Sequence, residues 1–265
     1  MYCKCGKNSF MPDIYSYAKK ILVLTLFLSL GCCSTWKDRE EYLEDSSRFA
    51  INDPFETFNR AMFEFDTGLN FIIDPSVDIY EFLVPKAGRI GVSNMLKNIR
   101  SPIYLTNNLL QADAEGSGIV IVRFLVNSTL GLLGFFDVAS SMGMPHKTED
   151  LGQTMAKWGI GEGFYLYVPV LGPSNLRDLT GYIFDTSILD PVSWLARGDN
   201  PIWWSLGYSG TLVIDVRSSV RGTLKELDAS SIDFYAALRS AYRQNRNELI
   251  SNGKSDYQDE EYDFD

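Results

Sequence analysis

The chain of 265 residues has no cysteine after Cys33 and a single histidine, His146. The missing cysteines exclude a disulfide framework, because the neighbours Cys32 and Cys33 have no distant partner to close on. A structural zinc site wants four ligands, usually Cys or His, and no second pair follows Cys3 and Cys5, so no metal is assigned. Catalytic signatures are missing too. Gly207-Tyr-Ser209-Gly210-Thr211 lacks the closing glycine of a nucleophile elbow. Gly159-Ile-Gly161-Glu-Gly163 is no dinucleotide fingerprint, since its third glycine comes too early and no strand precedes it. His146 sits in a Pro-His-Lys context without an assignable nucleophile or orienting acid. No enzyme activity and no cofactor are expected. No Pro/Gly/Ser linker or internal repeat divides the body.

What is present begins with Lys19-Lys20, the apolar run Ile21 to Gly31, and then Cys32. The run has 11 residues, short of the ~20 that span a bilayer as a helix. A basic flank, a short apolar core and a small residue at the cut describe a secretory signal. Leu28-Ser29-Leu30-Gly31-Cys32 resembles a bacterial lipobox, which makes Cys32 the expected site of lipid attachment. Cys33 is the alternative, since it restores Leu30 to the place where the pattern prefers leucine. Met11 is an alternative start that would delete Cys3 and Cys5. One acyl chain holds a protein only marginally; a lipoprotein cysteine of the bacterial type bears three.

Removing residues 1–31 leaves 20 Lys+Arg against 33 Asp+Glu, a net charge of −13. That excludes nucleic acid as a partner, because phosphate contact needs positive charge. It also excludes attachment to anionic lipid through a polybasic patch. Any membrane contact is therefore apolar or through the anchor. The expected organisation is a signal peptide over 1–31, a lipidated N-terminus and tether over 32–52, a single body over 53–253, and an acidic tail over 254–265. The tail carries Asp256, Asp259, Glu260, Glu261, Asp263 and Asp265 without a base between 255 and 265, and is expected to be disordered.

The body reads as mainly α-helical. Asp53-Pro54-Phe55-Glu56 is a start signal. Phe55, Phe58, Met62, Phe65 and Leu69 then share one face, and Asp74-Pro75 is expected to stop the helix. Ser101-Pro102 opens a helix to Leu110, and Asp113 caps one running to about Gly131. Asp150 starts Leu151 to Trp158, with Gly159 at its C-terminal end. Further helices are expected over Leu176–Ile188 (started by Ser174), Val192–Leu195, Pro201–Leu227 and Ile232–Ile250. Asn252-Gly253 ends the last. Phe164 to Val170 reads as extended, with Pro169 making it a poor central strand.

Residues 119–144 are apolar nearly all round, which fits either a buried core helix or one facing lipid. Arg123 and Asn127, four apart, share a helical face. Gly131 and Gly134 allow a bend or close packing, and Asp137 follows. A straight span would put Arg123 and Asp137 in hydrocarbon at several kcal/mol each unless paired or wet. A bent apolar hairpin, its polar residues turned to protein or water, escapes that cost.

Asp53-Pro54-Phe-Glu-Thr-Phe58-Asn59-Arg60 and Arg123-Phe-Leu-Val-Asn127-Ser-Thr-Leu-Gly131-Leu-Leu-Gly134-Phe-Phe-Asp137-Val-Ala139 together resemble the MlaA (VacJ) family of outer-membrane lipoproteins. Glu149-Asp-Leu-Gly-Gln153, Tyr167-Val-Pro169-Val-Leu-Gly172-Pro-Ser174, Leu176-Arg177-Asp178 and Ala241-Tyr242-Arg243 continue the pattern in order. The resemblance implies a ring-like, multi-helix domain embedded in the inner leaflet of the outer membrane. Its channel would pass misplaced phospholipid inward to a soluble periplasmic carrier of the MlaC type and so keep the outer leaflet asymmetric. It also implies a trimeric outer-membrane porin as partner. Asn59, Arg60, Arg123, Asn127 and Asp137 are candidates for a polar lipid path, each set against a purely structural role. The alternative function is a passive lipoprotein that braces porins.

Overall fold

The computed structural model describes residues 52–195 and 201–252. Cys32 and Cys33, the signal segment, nearly all of the tether and the acidic tail lie outside the described residues. The body is mainly helical. Helix α1 spans Glu56–Leu83, α2 Lys86–Ile99, α3 Ser101–Leu110, α4 Ala114–Thr129 and α5 Val138–Ser141. After α6 (Leu151–Lys157) comes a two-stranded antiparallel hairpin, β1 (Tyr165–Val168) with β2 (Gly172–Asn175). Helix α7 (Leu176–Phe184) runs into a π turn over Asp185–Leu189; α8 (Pro191–Leu195), α9 (Pro201–Ser230) and α10 (Phe234–Ser251) follow.

The two ends of α1 depart from expectation. Asp53 does not cap it. Its carboxylate accepts from Asn59 Nδ2 at 2.8 Å, Tyr235 Oη at 2.7 Å and Arg239 Nη1 at 2.6 Å, tying the start of α1 to α10. Nor does Asp74-Pro75 stop the helix, which continues through Pro75 to Leu83. An interior proline costs about 3 kcal/mol through a lost hydrogen bond and a ring clash. Against that, the continuation buries Val77 and sets Asp78 and Glu81 against Arg221 and Arg89. Tertiary packing outweighs the local break.

Helix α2, between Pro85 and Ser101, is an addition to the expected helices, although Val92, Met95, Leu96 and Ile99 recur at helical spacing. Its Gly91 lies against the ring of Phe135, where a Cβ could not fit. Aspartates cap α4 and α6 as expected: Asp113 accepts from the Gly116 N–H and Asp150 from the Gln153 N–H. The cap of α7 is Asn175 rather than Ser174. Helix α10 ends at Asn252, which is left-handed with φ 55°. Strand β2 carries no sequence signal, because Gly-Pro-Ser-Asn has neither apolar alternation nor β-branched residues.

Tyr165, Tyr167 and Tyr235 form a small buried aromatic core, with Met62, Phe63, Leu238 and Tyr242 packed on it. Elsewhere burial is inverted. Among the described residues 10 buried side chains are apolar and 19 are polar or charged, the reverse of a water-soluble interior. On α1 the buried positions are Asn59, Asp66 and Val77, while Phe58, Phe65, Phe71 and Phe82 face outward.

Candidate functional site

Helix α4 shows the inversion most clearly. Ser117, Val120, Arg123 and Asn127, spaced three or four apart, make its buried face. Ile121, Val122, Phe124 and Leu125 are exposed. A surface helix in water carries the opposite arrangement.

The turn after α4 brings Asp137 back onto this buried face. Leu132 and Leu133 take left-handed backbone (φ 50° and 60°) and Gly134 follows at φ 95°. Gly134 lies against Asn98 of α2, and Gly131 against the backbone oxygens of Asn127 and Phe136, so both glycines serve close approach in this turn. Arg123 Nη2 donates to both carboxylate oxygens of Asp137 at 2.9 Å. Its Nη1 donates to Ser140 Oγ at 3.0 Å and to the Met144 carbonyl. Asn127 Nδ2 donates to Asp137 at 3.0 Å, and its Oδ1 accepts from the Ala139 N–H at 2.9 Å. Burial pulls the Asp137 carboxyl up, but hydrogen bonds from Ser140, Arg123 and Asn127 outweigh it and hold the group well below the usual carboxylate range.

Beside this lattice lies a cleft of about 340 Å³. Its walls are α2 (Asn94, Lys97, Asn98), α3 (Ser101, Tyr104, Asn108), α4 (Glu115 to Asn127) and the segment carrying His146 and Lys147. Both signs of charge line it. The His146 ring meets Tyr104 edge-on at 5.3 Å, and its Nε2 has no hydrogen-bond partner. Burial, reinforced by the charges of Arg123 and Lys97, lowers its pKa to about 4. Such a cleft can hold a polar or charged group next to an apolar exterior. Among the described residues no group of three His, Cys, Asp or Glu is placed to hold a metal.

Of the residues singled out in the sequence, Arg123, Asn127 and Asp137 come together at the cleft. Asn59 and Arg60 do not. The Asn59 side chain, fully buried, donates to Asp53 and to the Tyr165 carbonyl at 3.0 Å, and accepts from the Tyr167 N–H at 3.0 Å. It locks α1 to β1. Arg60 pairs with Glu56 and Asp233 and lies over the Tyr235 ring at 4.4 Å. Lys97, Asn98, Tyr104 and His146 line the cleft without having been marked. Lys97 and Asn98 belong to α2, where the stripe Val92, Met95, Leu96 and Ile99 is the signal that could have found the helix, and the lone histidine has no partner in sequence.

Comparison with known proteins places these features in a family. The family model described as MlaA lipoprotein matches residues 51–249. A Shigella flexneri protein named intermembrane phospholipid transport system lipoprotein MlaA is 32% identical over 238 residues, covering 88% of each chain. A Haemophilus influenzae protein of the same name is 26% identical, over 88% of this chain and 91% of the relative. An uncharacterized protein of Rickettsia bellii is 30% identical over 88% of this chain. A solved structure, described as the structural basis for maintenance of bacterial outer membrane lipid asymmetry, matches with a TM-score of 0.63 at 29% identity. The match covers 75% of this chain and 98% of that one.

Proposed function

From the premise that this chain belongs to the MlaA lipoprotein family, we propose that it carries misplaced phospholipid out of the outer leaflet of a bacterial outer membrane, through the cleft beside Arg123. The observation that carries this reading is α4, whose buried face is polar and whose exposed face is apolar. A phospholipid crosses a leaflet slowly because its charged head loses hydration in hydrocarbon. A short polar path for the head, beside an apolar skin for the tails, lowers that barrier. The cleft supplies the path. Ile121, Val122, Phe124 and Leu125 supply the skin on α4, and Phe71, Ile79 and Phe82 on α1.

In this reading the ring-like body of residues 53–253 lies in the inner leaflet, anchored through Cys32 or its neighbour Cys33. Among the described residues no helix is long and apolar enough to cross a membrane, which suits immersion in one leaflet. The bent apolar hairpin is α4 with the turn to α5, where Leu130, Leu132, Leu133 and Phe136 stand exposed. Trp158 and Trp194 are half-exposed, each with its indole N–H on a backbone carbonyl, and suit the depth where hydrocarbon meets headgroups. The partners proposed are phospholipid, a soluble carrier of the MlaC type and a trimeric porin.

Photo-crosslinking groups placed at Val120 and at Leu125 test the path. Head-labelled phospholipid should be captured from position 120, and tail-labelled phospholipid from 125. Deleting the gene should raise outer-leaflet phospholipid. An unchanged leaflet and no capture from position 120 would leave a porin brace as the better account.

A further inference from the structure

Apart from the paired Arg123 and Asp137, the charges around the cleft are sorted by sign, with acids at the start of α4 and lysines on α2 and the segment after α5. Asp113 and Glu115 stand at the N-terminal end of α4, and Arg123 and Asn127 further on. Eight residues separate Glu115 from Arg123, ~12 Å along the axis at ~1.5 Å per residue. Arg123 is consumed by Asp137, Ser140 and the Met144 carbonyl. Lys97 and Lys147, both exposed, make no hydrogen bond or ion pair among the described residues. Asn98, next to Lys97, donates to Ser128 Oγ at 2.9 Å and to the Leu133 carbonyl, which sets this part of α2 beside the far end of α4. Met144, which Arg123 holds, lies three residues before Lys147. Lys97, Arg123 and Asp137 all act on His146, which puts Lys97 near the Arg123–Asp137 pair. Lys97 also feels the carboxylate of Asp215 from α9. At the other end Glu115 carries no partner among the described residues, and Asp113 spends one carboxylate oxygen on the Gly116 N–H.

We propose that the cleft selects zwitterionic aminophospholipid, drawing the phosphate toward Lys97 and Lys147 and the ammonium toward Glu115 and Asp113. This rests on the phospholipid-transport reading above. The separation of charge gives the cleft a field along α4 that turns a head dipole one way. Side-chain reach from Lys97 and Glu115 shortens the gap between the two ends. An anionic head without an amine finds the cationic end but is repelled at the acidic one. A solvent-accessible charge pair of this kind is worth up to about 1 kcal/mol, which is about fivefold in affinity.

The full chain, purified in detergent, would be loaded from an equimolar mixture of phosphatidylethanolamine and phosphatidylglycerol, and the bound lipid counted by mass spectrometry. Phosphatidylethanolamine should exceed phosphatidylglycerol about fivefold. Glu115→Gln should bring that ratio close to one without lowering total lipid. Lys97→Gln should lower both lipids, and Glu115→Lys should invert the preference. Circular dichroism confirms that each variant keeps its helices. Equal loading of both lipids by the parent, or a ratio unmoved by Glu115→Gln, overturns selection while leaving transport intact. Absence of both lipids from the parent overturns the transport reading and this proposal with it. Binding of free glycerophosphoethanolamine as tightly as the lipid would assign the cleft to a soluble zwitterion instead.

Discussion

Replacing Asp137 by Asn changes one atom type at the centre of the cleft lattice. Asp137 accepts two hydrogen bonds from Arg123, one from Asn127, and two from the backbone and hydroxyl of Ser140. An amide turns one of its acceptor positions into a donor, so at least one of these donors faces another, and the guanidinium loses its counter-charge. The Arg123 side chain is only 9% exposed. Breaking a buried pair from one side costs about 3–5 kcal/mol, and the partial exposure of Asp137 puts this case near ~3 kcal/mol. At ~2–4 °C per kcal/mol for a domain of this size, the unfolding midpoint should fall by roughly 6–12 °C. Removing both charges together, as Arg123→Met with Asp137→Leu, leaves no unpaired charge, although Asn127 Nδ2, Ser140 and the Met144 carbonyl each lose a partner. It should cost about 2 kcal/mol, from the lost cap on α5 and these neutral groups. Thermal unfolding of the full chain in detergent, followed by circular dichroism, gives both values. The argument fails if the single variant stays within about 1 kcal/mol of the parent, or if the double variant is the less stable of the two. Acid titration adds an independent reading. A depressed carboxyl lends stability that is complete above the unfolded value near pH 4 and declines as pH falls below it. Asp137→Asn should lose that decline.

His146 gives a second pH limb. Its ring is held neutral, with a pKa lowered from 6.5 to about 4. Stability present above pH 6.5 should therefore be lost progressively as pH falls toward 4. His146→Phe should keep the edge contact with Tyr104, abolish that slope, and gain ~1 kcal/mol at pH 7 by removing an unpaired buried nitrogen; an unchanged slope in urea titrations between pH 4 and 7 would assign it elsewhere. Gly134→Ala should cost about 3 kcal/mol, since φ 95° strains any other residue and the new methyl meets Asn98. A glycine after α5 permits a control: Gly143→Ala, at φ 83° but with open space around it, should cost less by denaturant midpoint. Cys32→Ser should leave the helical content intact and reduce recovery in the outer-membrane fraction; full recovery would mean that the body holds the membrane unaided.

Helix positions could be read from the chain wherever a cap or a proline marks a start, as at Asp113, Asp150 and Pro102, although Ser101 is the first helical residue rather than the cap. They could not be read where tertiary contact decides. Pro75 looks like a stop until Asp78 and Glu81 find Arg221 and Arg89 on other helices. Helix α2 carries two interior glycines that mask the stripe Val92, Met95, Leu96 and Ile99, and Gly91 is explained only by a phenylalanine 44 positions later. The stripe Phe58–Phe65 on α1 was visible, but not that it faces out while Asn59 and Asp66 face in. Periodicity locates a face and is silent on its direction. The same limit separates the site residues. Arg123, Asn127 and Asp137 lie within fifteen positions of one another, so helix geometry and a turn suffice to join them. Asn59 owes its role to strand β1, more than a hundred positions away, and no local rule signals that bond.

The inverted burial has a consequence for calorimetry. Melting most proteins wets greasy side chains and raises the heat capacity, whereas wetting polar ones lowers it. Here much of what melting would newly hydrate is Asn, Asp, Arg and Thr, while a large share of the aliphatic and aromatic surface already faces outward in the native state. The heat-capacity increment should fall below the usual ~12–15 cal/mol/K per residue, and the curve of stability against temperature should be correspondingly flat.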